Sequence, residues 1–258
     1  MAFEEKVLNI NGVKYQYFDT GGSGPILVVL HGLVGSKEAI LDFVEPLTDS
    51  FRCVIPDLPG HGGLPFSGDV GLPWFVDYVL SLLDHLRIVK FGLVGFSFGG
   101  FVALEIVKSK EVEGSSIPTV LWSVPFDFGV TKFGYLCLQA SRFLPSKLWM
   151  FALDVGEKLG LINISSGAVS AVGKFDGGIV PFACSALKEY MCPVTSAPLL
   201  YVYGAKDILI TEGCFEDIDV SGSKSSSKVL IEEGGHLATE VGRDKALKEI
   251  VVFFKKNP

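Results

Sequence analysis

A serine flanked by glycines, Gly95-Phe96-Ser97-Phe98-Gly99, stands at the junction of an apolar run and a helix-forming segment. Phe91–Val94 before it reads as a short buried strand, and Phe98–Val107 after it continues as a helix. A serine at the tip of so tight a strand-to-helix turn is forced into a strained backbone conformation, and its hydroxyl projects above the sheet edge. The glycines two residues away on either side let strand and helix approach without a Cβ clash. The helix that follows aims its first N–H groups at any negative charge forming beside the serine. Strand, sharp turn and helix in that order are the building unit of a layered α/β architecture.

The rest of the chain keeps that rhythm. Val7–Tyr17 alternates apolar and polar residues around Asn11-Gly12, a hairpin signal. Ile26–Leu30, Phe51–Ile55, Thr119–Ser123, Pro198–Tyr203 and Lys228–Ile231 read as further strands. Leu72–Leu86 carries Phe75, Val79, Leu82, Leu83 and Leu86 at helical spacing, and Arg243–Lys256 carries Leu247, Ile250, Val251 and Phe254 on one face. Strands alternating with helices predict a mostly parallel central sheet with helices on both faces. The mean hydropathy of +0.43 fits such a buried sheet. A membrane span is a poorer reading, because apolar stretches such as Leu93–Val107 contain Gly, Ser and Glu and fall short of the roughly 18–20 residues a span requires.

One stretch breaks the alternation. From Phe126 to Cys192 no clear strand stands out, and aromatic and leucine residues dominate: Phe126, Phe128, Phe133, Tyr135, Phe143, Trp149. That is too long for an ordinary loop, so residues 126–192 are expected to form an inserted helical cap, or lid, on a core made of 1–125 and 193–258.

With a net charge of −7 and no basic run interleaved with aromatics, nucleic acid is not an expected partner. The N-terminus lacks the features of a secretory signal. Five cysteines, an odd number without a CxxC pair, argue against a disulfide framework and a zinc site, and for reduced thiols in a cytoplasmic protein. No phosphate loop or metal cluster stands out, so no cofactor is expected.

A serine hydroxyl needs a base to act as a nucleophile. Of four histidines, His85 sits on an amphipathic helix and reads as a surface residue, while His31 and His61 follow strands and read as organisers of their loops. His236, in Glu233-Gly234-Gly235-His236, follows the last strand and is the candidate base. Asp207, after the strand Pro198–Tyr203, is the candidate acid that fixes its tautomer, with Asp127 as the alternative one strand earlier. The chain order Ser97, Asp207, His236 matches one established order of such a catalytic triad. An oxyanion hole would come from the backbone N–H groups of Phe98 and of Leu33, the latter in the loop after Ile26–Leu30.

With these residues assembled, the chain resembles the α/β-hydrolase superfamily over nearly its whole length, as a capped serine esterase or lipase-like member. The resemblance rests on His31-Gly32, Asp57-Leu58-Pro59-Gly60-His61-Gly62, the Ser97 turn, Tyr203-Gly204-Ala205-Lys206-Asp207 and Gly235-His236, all in the family's order. It implies hydrolysis of small-molecule carboxylic esters with apolar acyl or alcohol groups. Two alternatives share the fold. One is C–C bond hydrolysis of diketo or dienoic acids, with Arg142 or Lys174 holding the substrate carboxylate. The other is a ligand-binding receptor. An aromatic cap is also compatible with weak lipid-surface contact and with homo-oligomers.

Overall fold

The computed structural model describes residues 3–66, 71–143, 174–192, 194–221, 223–236 and 240–258. Its eight strands are β1 (Glu5–Ile10), β2 (Val13–Asp19), β3 (Ile26–Leu30), β4 (Arg52–Pro56), β5 (Gly92–Phe96), β6 (Thr119–Trp122), β7 (Leu199–Gly204) and β8 (Ser227–Ile231). They form one sheet in the order β1-β2-β4-β3-β5-β6-β7-β8. The β1–β2 hairpin turns at Asn11 and Gly12, both at positive φ, and its pairings are antiparallel. From β4 onward every neighbour is parallel. The expected mostly parallel sheet is therefore present.

Parallel strands buried on both faces read as unbroken apolar runs, and residue-by-residue alternation still sorts them. Val28, Leu30, Leu93 and Leu121 pack on one face with α2 (Leu72–His85) and α3 (Phe98–Val112). Leu27, Val29, Val94, Val120 and Trp122 pack on the other with α1 (Leu41–Val44) and the C-terminal α7 (Glu240–Lys256). The helical faces read from spacing hold: Phe75, Val79, Leu82 and Leu83 of α2, and Leu247, Ile250 and Phe254 of α7, are buried.

Some boundaries differ. Strand β5 runs to Phe96, because Gly95 and Phe96 still pair with Leu121 and Trp122 and only Ser97 leaves the ladder. Helix α3 continues through a polar turn to Val112, supported by the pairs Lys108–Glu105 and Lys110–Glu113. Between β6 and β7 lie α4 (Lys132–Ser141), α5 (Ile179–Glu189) and a short 3-10 turn, Phe126–Phe128; residues 144–173, where much of the expected cap falls, lie outside the described residues. A short α6 (Gly213–Glu216) follows β7. Among the described residues, no helix is long and apolar enough to cross a membrane, and no group of three or more His, Cys, Asp or Glu could hold a metal ion. All five cysteines are unbridged.

A partly buried ion pair fastens the hairpin to the parallel sheet. The Asp19 carboxylate accepts from Arg52 Nε at 2.9 Å and Nη2 at 2.7 Å, and from the Gly21 N–H at 3.0 Å. Burial pushes the Asp19 carboxyl up, but these donors outweigh it and hold it at about 2. A depressed carboxyl stabilises the fold above its ordinary pKa, and that contribution is lost as pH falls through the folded value. Asp19→Asn is therefore expected to cost about 2 kcal/mol at pH 7. The gap from the parent protein should close between about pH 4 and pH 2 in urea titrations.

Candidate active site

The chain switches direction across the sheet at β3 and β5, which are neighbours although β4 intervenes in sequence. Crevices at the carboxyl ends of strands at such a switch point are the usual ligand sites of open α/β sheets. Ser97 stands there, partly exposed, at φ 48° and ψ −115°, as the residue preceding α3. Its N–H donates to the Trp122 carbonyl at 2.8 Å and its carbonyl accepts from Gly100 N at 2.9 Å, so the turn is fixed on both sides. The flanking glycines are required by space. A Cβ on Gly95 would lie 2.6 Å from Gly100 Cα, and one on Gly99 would lie 2.5 Å from the carbonyl oxygens of Leu30 and His31. Gly99 thereby brings α3 directly under the loop that follows β3.

That loop holds the other candidate oxyanion donor. A methyl on Gly32 would be 3.2 Å from Ser97 Cβ, so the loop lies against the serine. Gly32 and Gly35 close a tight turn, N–H to carbonyl at 3.1 Å, with Leu33 and Val34 at its centre and Val34 at φ 61°. Phe98 opens α3, so its N–H has no partner within the helix. His31 secures the turn from below. Its Nδ1 donates to the Gly32 carbonyl at 2.8 Å and its Nε2 accepts from Leu58 N–H at 3.0 Å. Burial outweighs the Gly32 carbonyl and pushes His31 down to about 4, and burial pushes His61 down to about 3, so both rings stay neutral. They organise backbone, as their positions suggested, and His85 is exposed on α2.

At the other end of the sheet edge, the β7 and β8 loops meet. Gly204 makes this possible, since a Cβ there would lie 2.3 Å from the Gly234 carbonyl oxygen. The Lys206 N–H donates to that same carbonyl at 2.8 Å. The result is a hydrogen bond between His236 Nδ1 and Asp207 Oδ2 at 2.8 Å. The other Asp207 oxygen accepts from the N–H groups of Leu209 at 2.8 Å and Ile210 at 3.1 Å. Burial raises the Asp207 carboxyl, but His236 and these two amides hold it below the ordinary carboxylate range. An ionised acceptor at Nδ1 places the ring proton there and leaves Nε2 as an acceptor. Asp127, the alternative acid, is exposed on the turn after β6 at φ 51°; the hydrogen bond to His236 belongs to Asp207.

Phe98, the residue after Ser97, belongs to an aromatic cluster. Phe98 meets Phe75 of α2 at 5.3 Å and Phe182 of α5 at 6.2 Å, and Phe182 stacks on Phe75 at 5.6 Å. Phe182 passed unnoticed in sequence, although its place in the aromatic-rich 126–192 stretch was a signal.

Lys37 was also missed. It is wholly buried, its Nζ at 2.6 Å from Asp57, 2.8 Å from Glu38 and 2.9 Å from Glu5. Of its three carboxylate partners only Glu38 is adjacent in sequence, while Glu5 lies on β1 and Asp57 on the loop after β4, so the cluster leaves no local sequence pattern.

The comparisons bear on this geometry. A match to the alpha/beta hydrolase family model covers residues 27–247. A pimeloyl-[acyl-carrier protein] methyl ester esterase of Aeromonas salmonicida is 32% identical over 252 residues, 90% of this chain and 96% of that protein. The magnesium-chelatase 30 kDa subunit of Rhodobacter capsulatus is 31% identical over 100 residues, which span 38% of this chain and 35% of that protein. In structure, an N-acyl homoserine lactonase, AidH, solved with N-butanoyl homoserine, superposes with a TM-score of 0.80 at 15% identity, over 98% of this chain and 96% of that one. A family match from β3 into α7, on a sheet whose parallel strands carry a serine turn and an Asp–His pair at one edge, means that this chain belongs to the α/β hydrolase family.

Proposed function

We propose that the protein is a serine hydrolase of carboxylic esters with apolar acyl or alcohol groups. The Asp207–His236 hydrogen bond at 2.8 Å, on the same sheet edge as the strained Ser97 turn, carries this reading. In it, His236 Nε2 takes the Ser97 proton as Oγ attacks the ester carbonyl. Asp207 holds the imidazole tautomer and stabilises the imidazolium. The N–H groups of Phe98 and Leu33 receive the oxyanion, the alcohol departs with the proton from His236, and water, activated by His236, releases the acid from the acyl-enzyme.

The apolar preference is supported by the Phe75, Phe98 and Phe182 cluster, which begins at the residue after Ser97, and the ester by the full-length resemblance to a methyl ester esterase. Helices α4 and α5 support the proposal that 126–192 is a cap over this edge. The C–C hydrolase reading wants a buried cation, and Arg142 and Lys174 are both exposed.

The test is a series of p-nitrophenyl esters of increasing acyl length. Each added methylene buried is worth about 0.8 kcal/mol, so kcat/KM is expected to rise about fourfold per carbon until the pocket is filled. A profile that falls from acetate onward refutes the apolar preference. No turnover, with Ser97 unlabelled by a fluorophosphonate, refutes the hydrolase reading.

A further inference from the structure

The turn that carries Leu33 is under strain. Val34 is β-branched and sits at φ 61°, a region such residues avoid. A residue held there persists only where its surroundings over-determine it. Two residues beyond the turn, Lys37 is fully buried and makes contacts that fix both its ends. Its N–H donates to Asp57 Oδ1 at 2.9 Å and its Nζ to Asp57 Oδ2 at 2.6 Å. The ammonium also reaches Glu38 at 2.8 Å and Glu5, on strand β1, at 2.9 Å. Ser36 Oγ in turn donates to Glu38 at 2.6 Å.

Asp57 belongs to the loop after β4, whose Leu58 N–H holds His31. A Cβ on Gly62 would strike the Asp57 carboxylate at 2.1 Å, so that loop wraps the acid as closely as backbone allows. The turn beside Ser97 is thus tied at one end by His31 and at the other by a charge cluster that also draws in the N-terminal hairpin.

We infer that Lys37 is a positioning residue for the oxyanion hole: clamped by Asp57, Glu38 and Glu5, it holds the strained Gly32–Gly35 turn so that the Leu33 N–H faces the carbonyl undergoing attack at Ser97. This rests on the hydrolase reading above. Lys37 stays charged through the neutral range. Burial lowers its pKa, and the surrounding carboxylates more than restore it, raising it above ordinary lysine. Glu38, pushed up by burial, is held at about 2 by Lys37 and Ser36. A donor displaced by about 1 Å loses on the order of 100-fold in rate, and losing a donor outright costs on the order of 100- to 1,000-fold.

The decisive variant is Lys37→Met combined with Asp57→Asn. It removes the two wholly buried members of the cluster together, and the carboxylates that remain, Glu38 and Glu5, reach solvent. Wild type and variant are compared on one p-nitrophenyl ester, and for binding of an alkyl trifluoromethyl ketone, whose serine adduct places an oxyanion in the hole. The expected result is a kcat lower by about 10- to 100-fold with KM within twofold, and ketone affinity falling in parallel. A folded variant with kcat within twofold of wild type overturns the inference, and so does a lower kcat with unchanged ketone affinity. If circular dichroism shows the double variant unfolded, Lys37→Arg decides by the same readouts: its bulkier head displaces the clamp, and an unchanged kcat overturns the role. A wild type that hydrolyses no ester refutes the underlying reading instead, which separates the two failures.

Discussion

Ser97→Ala is expected to lower kcat toward a medium-chain p-nitrophenyl ester by about 10,000-fold or more, with KM changed no more than a few-fold. In the proposed mechanism Ser97 Oγ forms the acyl-enzyme, so its loss removes the covalent route and leaves the surrounding side chains unchanged. Burst kinetics at high enzyme concentration and labelling by a fluorophosphonate should vanish together. The same position predicts a stability effect of opposite sign. At φ 48° and ψ −115° any residue with a Cβ is strained, at a cost of about 1–3 kcal/mol. Ser97→Gly relieves that strain and Ser97→Ala does not. Of two variants that both lack the hydroxyl, the glycine one is expected to melt higher, by about 2–4 °C for each kcal/mol relieved. Equal melting temperatures would mean that the turn is not strained.

The second large effect concerns the acid. Asp207→Asn is expected to reduce kcat by about 10,000-fold with little change in KM. The amide oxygen still accepts from Leu209 and Ile210, so the loop keeps its shape. Its NH2 then faces His236 Nδ1, which must become the acceptor, and the proton moves to Nε2, where the base toward Ser97 is needed. Asp127→Asn, exposed and with no part in that bond, is expected to leave kcat within a few-fold. The reverse pattern would move the acid to the strand before. The pair also sets a stability trend: because Asp207 is depressed, its contribution is present above the ordinary carboxylate range and lost as pH falls through its folded value.

How much of this could be read from residues alone differs by feature. The strands were legible because each is an apolar run bounded by turn residues, and Ile26–Leu30 came out to the residue. Strand β5 was cut short at Val94 because Gly95 reads as a turn, whereas it is the pairing with Leu121 that keeps it in the ladder. Ser97, Asp207 and His236 could be singled out because each follows a strand, and the carboxyl ends of parallel strands share one edge; the structure joins Asp207 to His236. The Lys37 cluster was not. Lysines are almost never fully buried, Ser36-Lys37-Glu38 looks like any solvated loop, and its decisive partner lies 20 residues away on a different loop. Nor was Gly204 readable as the residue that lets two loops meet, since the backbone it makes room for belongs to residues 234 and 235.

The sheet order has a consequence for synthesis. Ser97 follows β5, near the centre of the sheet between β3 and β6, whereas Asp207 and His236 follow β7 and β8 at one margin. When Ser97 leaves the ribosome, about 140 residues separate it from His236, or roughly 7–28 s of elongation at typical rates. The six strands made first, from the hairpin to β6, can pair and bury much of their core in that interval. In the proposed mechanism the chain at that stage carries a hydroxyl without its base. On the proposed triad, reactivity arrives only when β7 and β8 dock, so a ribosome-bound chain truncated before His236 should present an unreactive serine.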